Sequence, residues 1–230
     1  MKEKLISISG VKGSGKTVAS EMFQYCLSVP KIFRQYWLYK SIGKIIPKKY
    51  KIIAFADSVK KMLSILLNVP EHKFRSRDFK ERWIVDIPTL NVSTDGFNQI
   101  LPDSKFNKLV KQLDPSLSQS KLTVRQLMQY WATQIMQTYF TRRVWINCTL
   151  KHCSKYTIIS DLRFKEEYNA VKEKNGYCVY IGRPGYTFGE HASEKEMSEL
   201  LNQNKYDCII YNSGSLYNLF NTIKKVCCTE

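Results

Sequence analysis

A glycine-rich segment near the amino terminus constrains the fold more than any other feature of this chain. The segment Gly10-Val-Lys-Gly-Ser-Gly-Lys-Thr17 fits the pattern G-x-x-x-x-G-K-[ST]. A short apolar run at residues 5–9 precedes it and is predicted to be a buried strand, and residues 18–27 carry apolar side chains at helical spacing. Strand, glycine loop and helix together predict a phosphate cradle, because backbone N–H groups and a helix N-terminus both attract anions.

Within this segment, the residues predicted to bind ATP are Gly10, Gly13, Ser14, Gly15, Lys16 and Thr17. We expect the Lys16 ammonium to reach the β- and γ-phosphates and the Thr17 hydroxyl to ligate Mg²⁺. A glycine turn that matches the pattern by chance is the alternative. The strand before it and the helix after it favour phosphate binding.

The charge of the chain points to anionic partners. The 230 residues include 36 Lys and Arg against 20 Asp and Glu, a formal net charge of +16, and residues 31–61 hold nine of the cations and one acid. Nucleotides, nucleic acid or an acidic membrane would each suit this excess, and a lysine-rich solvated surface explains much of it. No apolar run approaches the roughly 20 residues that span a bilayer, so we expect no membrane partner and a cytoplasmic protein. Seven scattered cysteines are expected to be reduced thiols, not zinc ligands.

Short apolar strands alternate with helices along the chain. This order predicts an α/β fold of three layers with a parallel sheet, in one domain over residues 1–230. Predicted strands after the first lie at 51–55, 157–160, 177–181 and 208–211, and predicted helices at 58–67 (with Asp57 as N-cap), 123–139, 144–151, 164–175, from 193, and 216–226. Within the domain we expect an acceptor-binding helical region at 31–121, which includes a polar insert at 84–120, and a lid-like loop at 182–194.

Arginines near the predicted strand ends and helices favour a small kinase over other phosphate-binding proteins. A GTPase would need an N-K-x-D motif, which the sequence lacks. A kinase must neutralise an acceptor phosphate and a transferring phosphoryl group together. For the acceptor phosphate the candidates are Arg77, Lys80 and Arg125, although ion pairs at i,i+4 along a helix explain the first two equally well.

The transferring group has its own candidates at two strand ends. Asp161 is predicted to hold Mg²⁺, directly or through water, and Arg163 to reach the transferred phosphate. A plain helix N-cap explains Asp161 equally simply. Arg183 stands where a loop could close over ATP, so Lys16, Arg163 and Arg183 are the predicted catalytic residues.

Several further stretches together make the chain resemble a known family, the deoxynucleoside monophosphate kinases of T-even bacteriophages and their relatives in other large DNA viruses. These stretches follow the order of the family and are spread along most of the chain: residues 9–16, Phe55–Leu63, Thr123–Gln129, Val144–Ile146, Ser160–Arg163, Arg183–Gly185, His191–Glu194 and Asn212–Leu216. The combination of the Arg-Gln-Leu-Met-Gln helix, the Asp-x-Arg strand end and the Asn-x-Gly-Ser-Leu turn is far more specific than the glycine loop alone.

The resemblance implies a P-loop NTPase fold of the adenylate-kinase type, with ATP as donor and a deoxynucleoside 5′-monophosphate as acceptor. Three features depart from the family pattern. Residues 131–133 read Trp-Ala-Thr where the family usually has Gly-Thr, Thr17 replaces an acidic residue of the phage form, and the insert at 84–120 shows little match. Base selectivity therefore does not follow from the resemblance.

The expected reaction is ATP + dNMP → ADP + dNDP, with Mg²⁺ as cofactor and direct in-line transfer. Two alternatives stay open: a small-metabolite kinase of the same fold, similar to phosphomevalonate kinases, and an ATP-regulated nucleic-acid-binding module that uses the basic segment 31–61. The motifs do not favour nucleic acid as a partner, although the charge permits it. A homodimer is also left open.

Overall fold

The chain forms two compact units in this computed structural model, which describes residues 4–86, 91–94, 97–99, 121–189 and 192–228. The first unit comprises residues 1–55 and 149–230, and the second comprises residues 56–148. The chain therefore enters the second unit after Phe55 and returns after Cys148. Each unit has its own buried apolar cluster.

Short strands and helices of up to 13 residues make up the secondary structure of the described residues. The strands are β1 (Ile6–Ser9), β2 (Lys51–Ile53), β3 (Ile84–Asp86), β4 (Asn91–Thr94), β5 (Phe97–Gln99), β6 (Lys121–Thr123), β7 (Thr157–Leu162), β8 (Tyr177–Gly182) and β9 (Cys208–Tyr211). The helices are α1 (Lys16–Ser28), α2 (Tyr36–Ile42), α3 (Asp57–Leu66), α4 (Arg77–Arg82), α5 (Val124–Tyr130), α6 (Val144–Lys151), α7 (Lys165–Glu173), α8 (Ala192–Asn202) and α9 (Leu216–Cys228). Short 3₁₀ turns cover Lys31–Phe33 and Glu71–Arg75, and a π-helix covers Trp131–Gln137.

A five-stranded parallel sheet organises the first unit. Its strand order is β2-β7-β1-β8-β9, and every neighbouring pair is parallel. The predicted parallel α/β sheet is thereby confirmed. Because all five strands run the same way, their carboxyl ends lie along one edge, which is where ligands bind in such sheets.

The side chains of β1 show why helices cover both faces of this sheet. Ile6 and Ile8 are fully buried and belong to a cluster with residues of α1 and α9, such as Phe23 and Phe220. Ser9 points to the other face, since successive strand residues alternate, and its Oγ accepts a hydrogen bond of 3.0 Å from the Tyr206 hydroxyl. Tyr206 in turn lies against Tyr168 of α7 on that face. Burial of both faces explains why the strands read as apolar runs.

The second unit combines helices with a small antiparallel sheet. The sheet has the order β5-β4-β3-β6, with Ile84 opposite both Ser93 and Thr123. A buried apolar cluster, which includes Leu63, Phe74 and Trp131, packs α3, α4, α5 and the π-helix together. The polar insert predicted at 84–120 thus contributes three strands, β3–β5, and the rest of its residues lie outside the described part of the chain.

The structure refines one local expectation and corrects another. The capping box at Thr123 and Gln126 is present and the chain stays helical to Tyr139 as expected, but Trp131–Gln137 form a π-helix and not an α-helix. The Trp131 indole donates to the Met62 sulfur at 2.9 Å. Asp57 lies inside the first turn of α3, not at its N-cap, and pairs with Lys60 at 2.8 Å. No helix among the described residues has the length and apolar character needed to cross a membrane.

Candidate phosphate-binding site

The glycine loop lies between the carboxyl end of β1 and the first residue of α1, and its glycines are sterically required. Gly10, Gly13 and Gly15 have φ angles of 147°, 87° and 97°. A Cβ at Gly10 would lie 2.3 Å from the Ile181 carbonyl oxygen, and one at Gly13 would lie 2.3 Å from the Tyr186 ring. Any side chain at these positions would therefore both strain the backbone and fill the cradle.

The Lys16 ammonium group lies against the glycine loop. Its Nζ donates to the carbonyl oxygens of Gly10 at 2.6 Å and Val11 at 2.7 Å. Burial, together with the positive charge of Arg163, lowers the pKa of Lys16 from 10.5 to about 8, while Asp161 and Glu194 act in the opposite direction. A desolvated cation whose hydrogen-bond partners are neutral carbonyl groups would gain strongly from an anionic phosphate oxygen.

Two hydroxyls of the loop fit a phosphate and its metal. The Ser14 Oγ is buried without a hydrogen-bond partner among the described residues, which is unusual for a polar atom and marks a place for a ligand contact. Thr17 is exposed in the first turn of α1, where its hydroxyl can turn toward an incoming cation. The donor set of Thr17 and Asp161 suits Mg²⁺, which takes oxygen ligands and usually keeps several from water and phosphate.

The carboxyl end of β7 places Asp161 and Arg163 near Lys16, as the charge effects on the lysine show. Asp161 Oδ1 accepts a hydrogen bond of 2.7 Å from the Phe55 backbone N–H, so this carboxylate ties the chain leaving β2 to β7. The N-cap alternative for Asp161 is wrong. Glu167 serves α7 instead, because its Oε2 accepts from the backbone N–H groups of Arg163 at 2.7 Å and Phe164 at 3.1 Å.

Glu167 is a buried carboxyl that sequence reasoning missed. Burial, reinforced by the nearby charge of Asp161, raises the pKa of Glu167 to about 8, and its two backbone hydrogen bonds only partly offset this. The sequence signal was a glutamate three residues into a predicted helix, as in a capping box. Its role is to fix the turn that carries Arg163.

The segment after β8 contacts the glycine loop directly. Arg183 Nη1 donates to the Gly13 carbonyl oxygen at 3.2 Å, and its guanidinium lies 5.1 Å from the centre of the Tyr186 ring. The Glu194 carboxylate accepts from the Gly189 N–H, so the start of α8 holds the far end of this segment. Arg183 thus contacts the glycine loop, and its catalytic role stays a prediction. His191, quoted in the family resemblance, lies outside the described residues.

Asn212 fixes the other side of the loop. Its Nδ2 donates to the Ser14 carbonyl oxygen at 3.0 Å, and a Cβ at Gly15 would lie 2.7 Å from that same nitrogen. The sequence marked Asn212 only as part of a family turn and indicated no role for it. The structure shows a side chain that orients the peptide between Ser14 and Gly15, one of the groups a phosphate would meet.

The predicted acceptor residues lie in the second unit. Arg77 Nε donates to Glu81 Oε2 at 3.0 Å, and Arg125 Nη2 donates to Glu81 Oε1 at 3.1 Å, so one carboxylate holds both arginines. Arg125 Nε is buried with no hydrogen-bond partner in the described part of the chain. Lys80 lies between Arg77 and Glu81 on α4. The alternative of i,i+4 ion pairs is also realised, since Arg77 pairs with Glu81 and Arg82 with Asp78.

A glycine loop and a half-buried lysine at the carboxyl end of a parallel sheet are typical of α/β proteins that bind phosphate groups. A family model described as deoxynucleotide monophosphate kinase matches residues 77–223. The match spans more than half of the chain, which therefore belongs to the deoxynucleotide monophosphate kinase family. It includes the Asp161, Arg163 and Arg183 positions and leaves the glycine loop outside.

Individual relatives are more distant. A protein of Acanthamoeba polyphaga mimivirus, named as a proposed deoxynucleotide monophosphate kinase, is 28% identical over 117 residues, which make up 44% of this chain and 59% of that protein. The chain thus spans about three fifths of the relative's length. Among solved structures, a dephospho-CoA kinase from Campylobacter jejuni is similar at a TM-score of 0.35 and 15% identity, with 98% of this chain and 96% of that one covered. Likeness at that level says nothing about a shared activity.

Proposed function

We propose that this chain phosphorylates a deoxynucleoside 5′-monophosphate to the diphosphate with ATP as the donor. The observation that carries the proposal is the Lys16 ammonium, partly desolvated at the mouth of the glycine loop and flanked by Arg163 and Asp161. Family membership supports the choice of acceptor, because the family is described as deoxynucleotide monophosphate kinases. A phosphomevalonate-like substrate lacks such support.

On this proposal the glycine loop binds the donor. The backbone N–H groups of residues 13–17 and the Lys16 ammonium hold the β- and γ-phosphates, which requires Lys16 to leave the carbonyl oxygens of Gly10 and Val11. Asn212 keeps the Ser14–Gly15 peptide in its orientation meanwhile. Thr17 and Asp161 would hold Mg²⁺, whose charge would offset that of the phosphate oxygens.

The acceptor attacks in line with the leaving group. A phosphate oxygen of the dNMP forms a bond to the γ-phosphorus, the bond from that phosphorus to the β,γ-bridging oxygen breaks, and ADP leaves. No base is required, because the acceptor phosphate is already ionised. Arg163 and Arg183 stabilise the charge that spreads over the transferring oxygens, a contribution that reaches several powers of ten in rate for arginines in this role.

The acceptor phosphate is assigned to Arg77, Lys80 and Arg125. In the structure, the Glu81 carboxylate accepts hydrogen bonds from Arg77 and Arg125. An incoming phosphate would either share these donors with Glu81 or replace Glu81 as their acceptor. Phosphate suits two adjacent guanidinium groups because each offers paired N–H donors in a planar fork. Closure of the 182–194 segment over the donor would exclude water and limit wasteful ATP hydrolysis.

An ADP-release assay tests the proposal across the four dNMPs, their ribose counterparts and phosphomevalonate. Activity is expected with at least one dNMP, and Lys16→Ala should abolish it without changing the circular dichroism spectrum. Lys12→Ala is the matched control, because Lys12 is an exposed lysine of the same loop. Turnover with phosphomevalonate alone, or full turnover in Lys16→Ala, would refute the assignment.

A further inference from the structure

A row of lysines precedes four neighbouring strands of the parallel sheet. Lys51 is the first residue of β2, Lys155 lies two residues before β7, Lys4 two residues before β1, and Lys174 three residues before β8. The order of these strands in the sheet is β2-β7-β1-β8. The lysines, which we call the amino-end row, therefore lie along the edge opposite to the glycine loop.

Three members of the row open onto one cleft. An open cavity of about 380 Å³ is lined by Lys4, Lys155 and Lys174, together with Cys153, Ser154 and Asn175. Burial raises the pKa of the Cys153 thiol to about 11, and the charges of Lys174 and Lys51 act in the opposite direction. Three lysines thus line a cleft whose other lining residues are Leu5, Cys153, Ser154 and Asn175, and the charge of Lys51 acts on its Cys153 side.

The positive surface continues past the cleft. The ammonium groups of Lys49 and Lys155 lie 4.3 Å and 5.3 Å from the centre of the Tyr156 ring, so both are close to the same aromatic side chain. Residues 22–56, which lead into β2, contain no Asp or Glu. Among the described residues beside the row, acidic side chains lie toward β9, where Asp207 pairs with Lys172 at 2.9 Å, and at Glu173 next to Lys174 in the sequence.

The dimensions of the row fit a polymer better than a single phosphate. Adjacent strands lie about 4.8 Å apart, so the row extends roughly 14 Å from β2 to β8. A linear polyanion can contact all four lysines at once, and it gains by releasing its counterions. Leu5, the large apolar residue that lines the cleft, is only 5% exposed, so the cleft itself lacks the exposed apolar anchors of a membrane-binding surface.

We propose that the amino-end row binds the sugar–phosphate backbone of nucleic acid. The row lies at the end of the sheet away from Lys16, so the chain can bind a nucleic acid there while the glycine loop holds a nucleotide. This inference is independent of the proposed kinase activity. It differs from the alternative left open by the sequence, which assigned nucleic-acid binding to the segment 31–61, because it places the contact at one defined edge of the sheet.

Fluorescence anisotropy with a labelled oligothymidylate of about 20 nucleotides, lacking a terminal phosphate, tests the proposal. Binding is measured over a series of salt concentrations for the wild type and for the variant K4Q/K51Q/K155Q/K174Q. Single-stranded nucleic acid contributes a slope of about −0.7 per phosphate contact, so four lost contacts should make the slope of log K against log salt shallower by about 3. In the wild type, these four contacts account for a fall in affinity of about fifty-fold as the salt concentration rises from 50 to 200 mM, and the variant should lack this part of the fall.

The control variant K61Q/K73Q/K165Q/K195Q lowers the formal net charge by the same amount, from +16 to +12, at positions on helices and a 3₁₀ turn, none of which lies at the start of a strand of the parallel sheet. It should keep the wild-type slope. Equal losses in both variants, or no binding by the wild type, would overturn the proposal, as would row-dependent binding to phosphatidylserine vesicles without binding to the oligonucleotide. If the quadruple variant loses its circular dichroism signal, K155Q/K174Q should still show half of the slope change.

Discussion

At the scale of single residues, Lys16 is the group whose protonation the site controls most directly. Its pKa is lowered to about 8 by burial first and by Arg163 second, so the free protein loses this charge just above physiological pH. A neutral amine cannot attract the γ-phosphate as an ammonium does. We therefore expect kcat/KM for ATP to fall as pH rises through about 8, because this ratio reports ionisations of the free enzyme.

The variant Lys16→Arg distinguishes the ionisation of Lys16 from the other ionisations that affect the assay. A guanidinium stays charged throughout the accessible range, so the variant should be slower at every pH but should lose the fall near pH 8. Ionisations of the substrates appear equally in both proteins. The same inflection in Lys16→Arg would show that the titrating group lies elsewhere.

The raised pKa of Glu167 leads to a second prediction for a single residue, which concerns the stability of the protein and not the reaction rate. Its pKa is about 8 in the folded chain against 4.5 as the reference, so between these values the folded protein holds a proton that the unfolded chain releases. The stabilisation is fully present below about pH 4.5 and is lost as pH rises toward 8. We expect the free energy of unfolding, measured with urea, to fall between pH 5 and pH 8 more in the wild type than in Glu167→Gln.

The glutamine keeps an oxygen for the N–H groups of Arg163 and Phe164 but carries no titrating proton. Glu166→Gln is the matched control, because Glu166 is the neighbouring carboxyl on the same turn of α7 and is not fully buried. It should keep the wild-type pH dependence. Identical pH dependence in the wild type and Glu167→Gln would mean that Glu167 does not bind its proton in the folded state.

At the scale of elements, Arg34 anchors the end of α9. The side chain is fully buried, its Nη1 donates to the Cys227 carbonyl oxygen at 3.0 Å, and its Nε donates to the Val29 carbonyl oxygen at 3.3 Å. A cation at a helix C-terminus is favourable, and the carbonyl groups would otherwise lack partners. Arg34→Met should therefore destabilise the protein by about 2–4 kcal/mol, since two buried acceptors lose their donors.

Thermal unfolding and hydrogen exchange check this prediction. Amide protection in the last turn of α9 should fall more than protection in α1, and Arg34→Lys should rescue little, because one ammonium cannot replace the planar fork. Lys31→Met, three residues earlier and exposed, provides the control. Unchanged protection in α9 would contradict the anchoring role.

The elements that the sequence predicted well are those with a strong period or a defined cap. Buried strands such as β1 and β8 read as apolar runs, and the capping box at Thr123 and Gln126 marked the start of α5 correctly. The short strands β3–β5 did not stand out, since three or four residues show too little alternation to be recognised. The dipeptide Asp95-Gly96 was the available signal, because Asp-Gly between short β-type runs favours a hairpin. The change to π-helix at Trp131 has no sequence signature.

At the scale of the whole molecule, the sequence predicted the part of the candidate site that a local motif forms. It did not predict the contacts between residues that are far apart in the chain. The glycine loop and Lys16 follow from local spacing alone. Asn212 and Tyr186 come to the loop from segments about 170–200 positions further along the chain, and no local pattern indicates such an approach. The i,i+4 spacing on α4 accounts for the pairing of Glu81 with Arg77, but not for its hydrogen bond from Arg125, which only the packing of α4 against α5 brings close.

The division of the chain into two units has a consequence for the kinetics. On the proposed mechanism, residues of the first unit bind ATP and residues of the second bind the acceptor phosphate, so substitutions should separate the two Michaelis constants. Arg125→Met should raise KM for the dNMP by roughly ten- to a hundred-fold, the loss expected for a hydrogen bond to a charged group, and leave KM for ATP nearly unchanged. Steady-state kinetics with each substrate varied in turn measures both constants.

Arg82→Met is the matched control for Arg125→Met. Arg82 is an 80% exposed arginine of α4 whose partner is Asp78, so its loss removes the same charge from the same unit without removing an assigned phosphate ligand. KM for the dNMP should stay within about two-fold of the wild type, since exposed ion pairs contribute little. If Arg82→Met raised this constant as much as Arg125→Met did, general charge would attract the acceptor. If Arg125→Met instead raised KM for ATP, the assignment of donor and acceptor groups to separate units would be wrong.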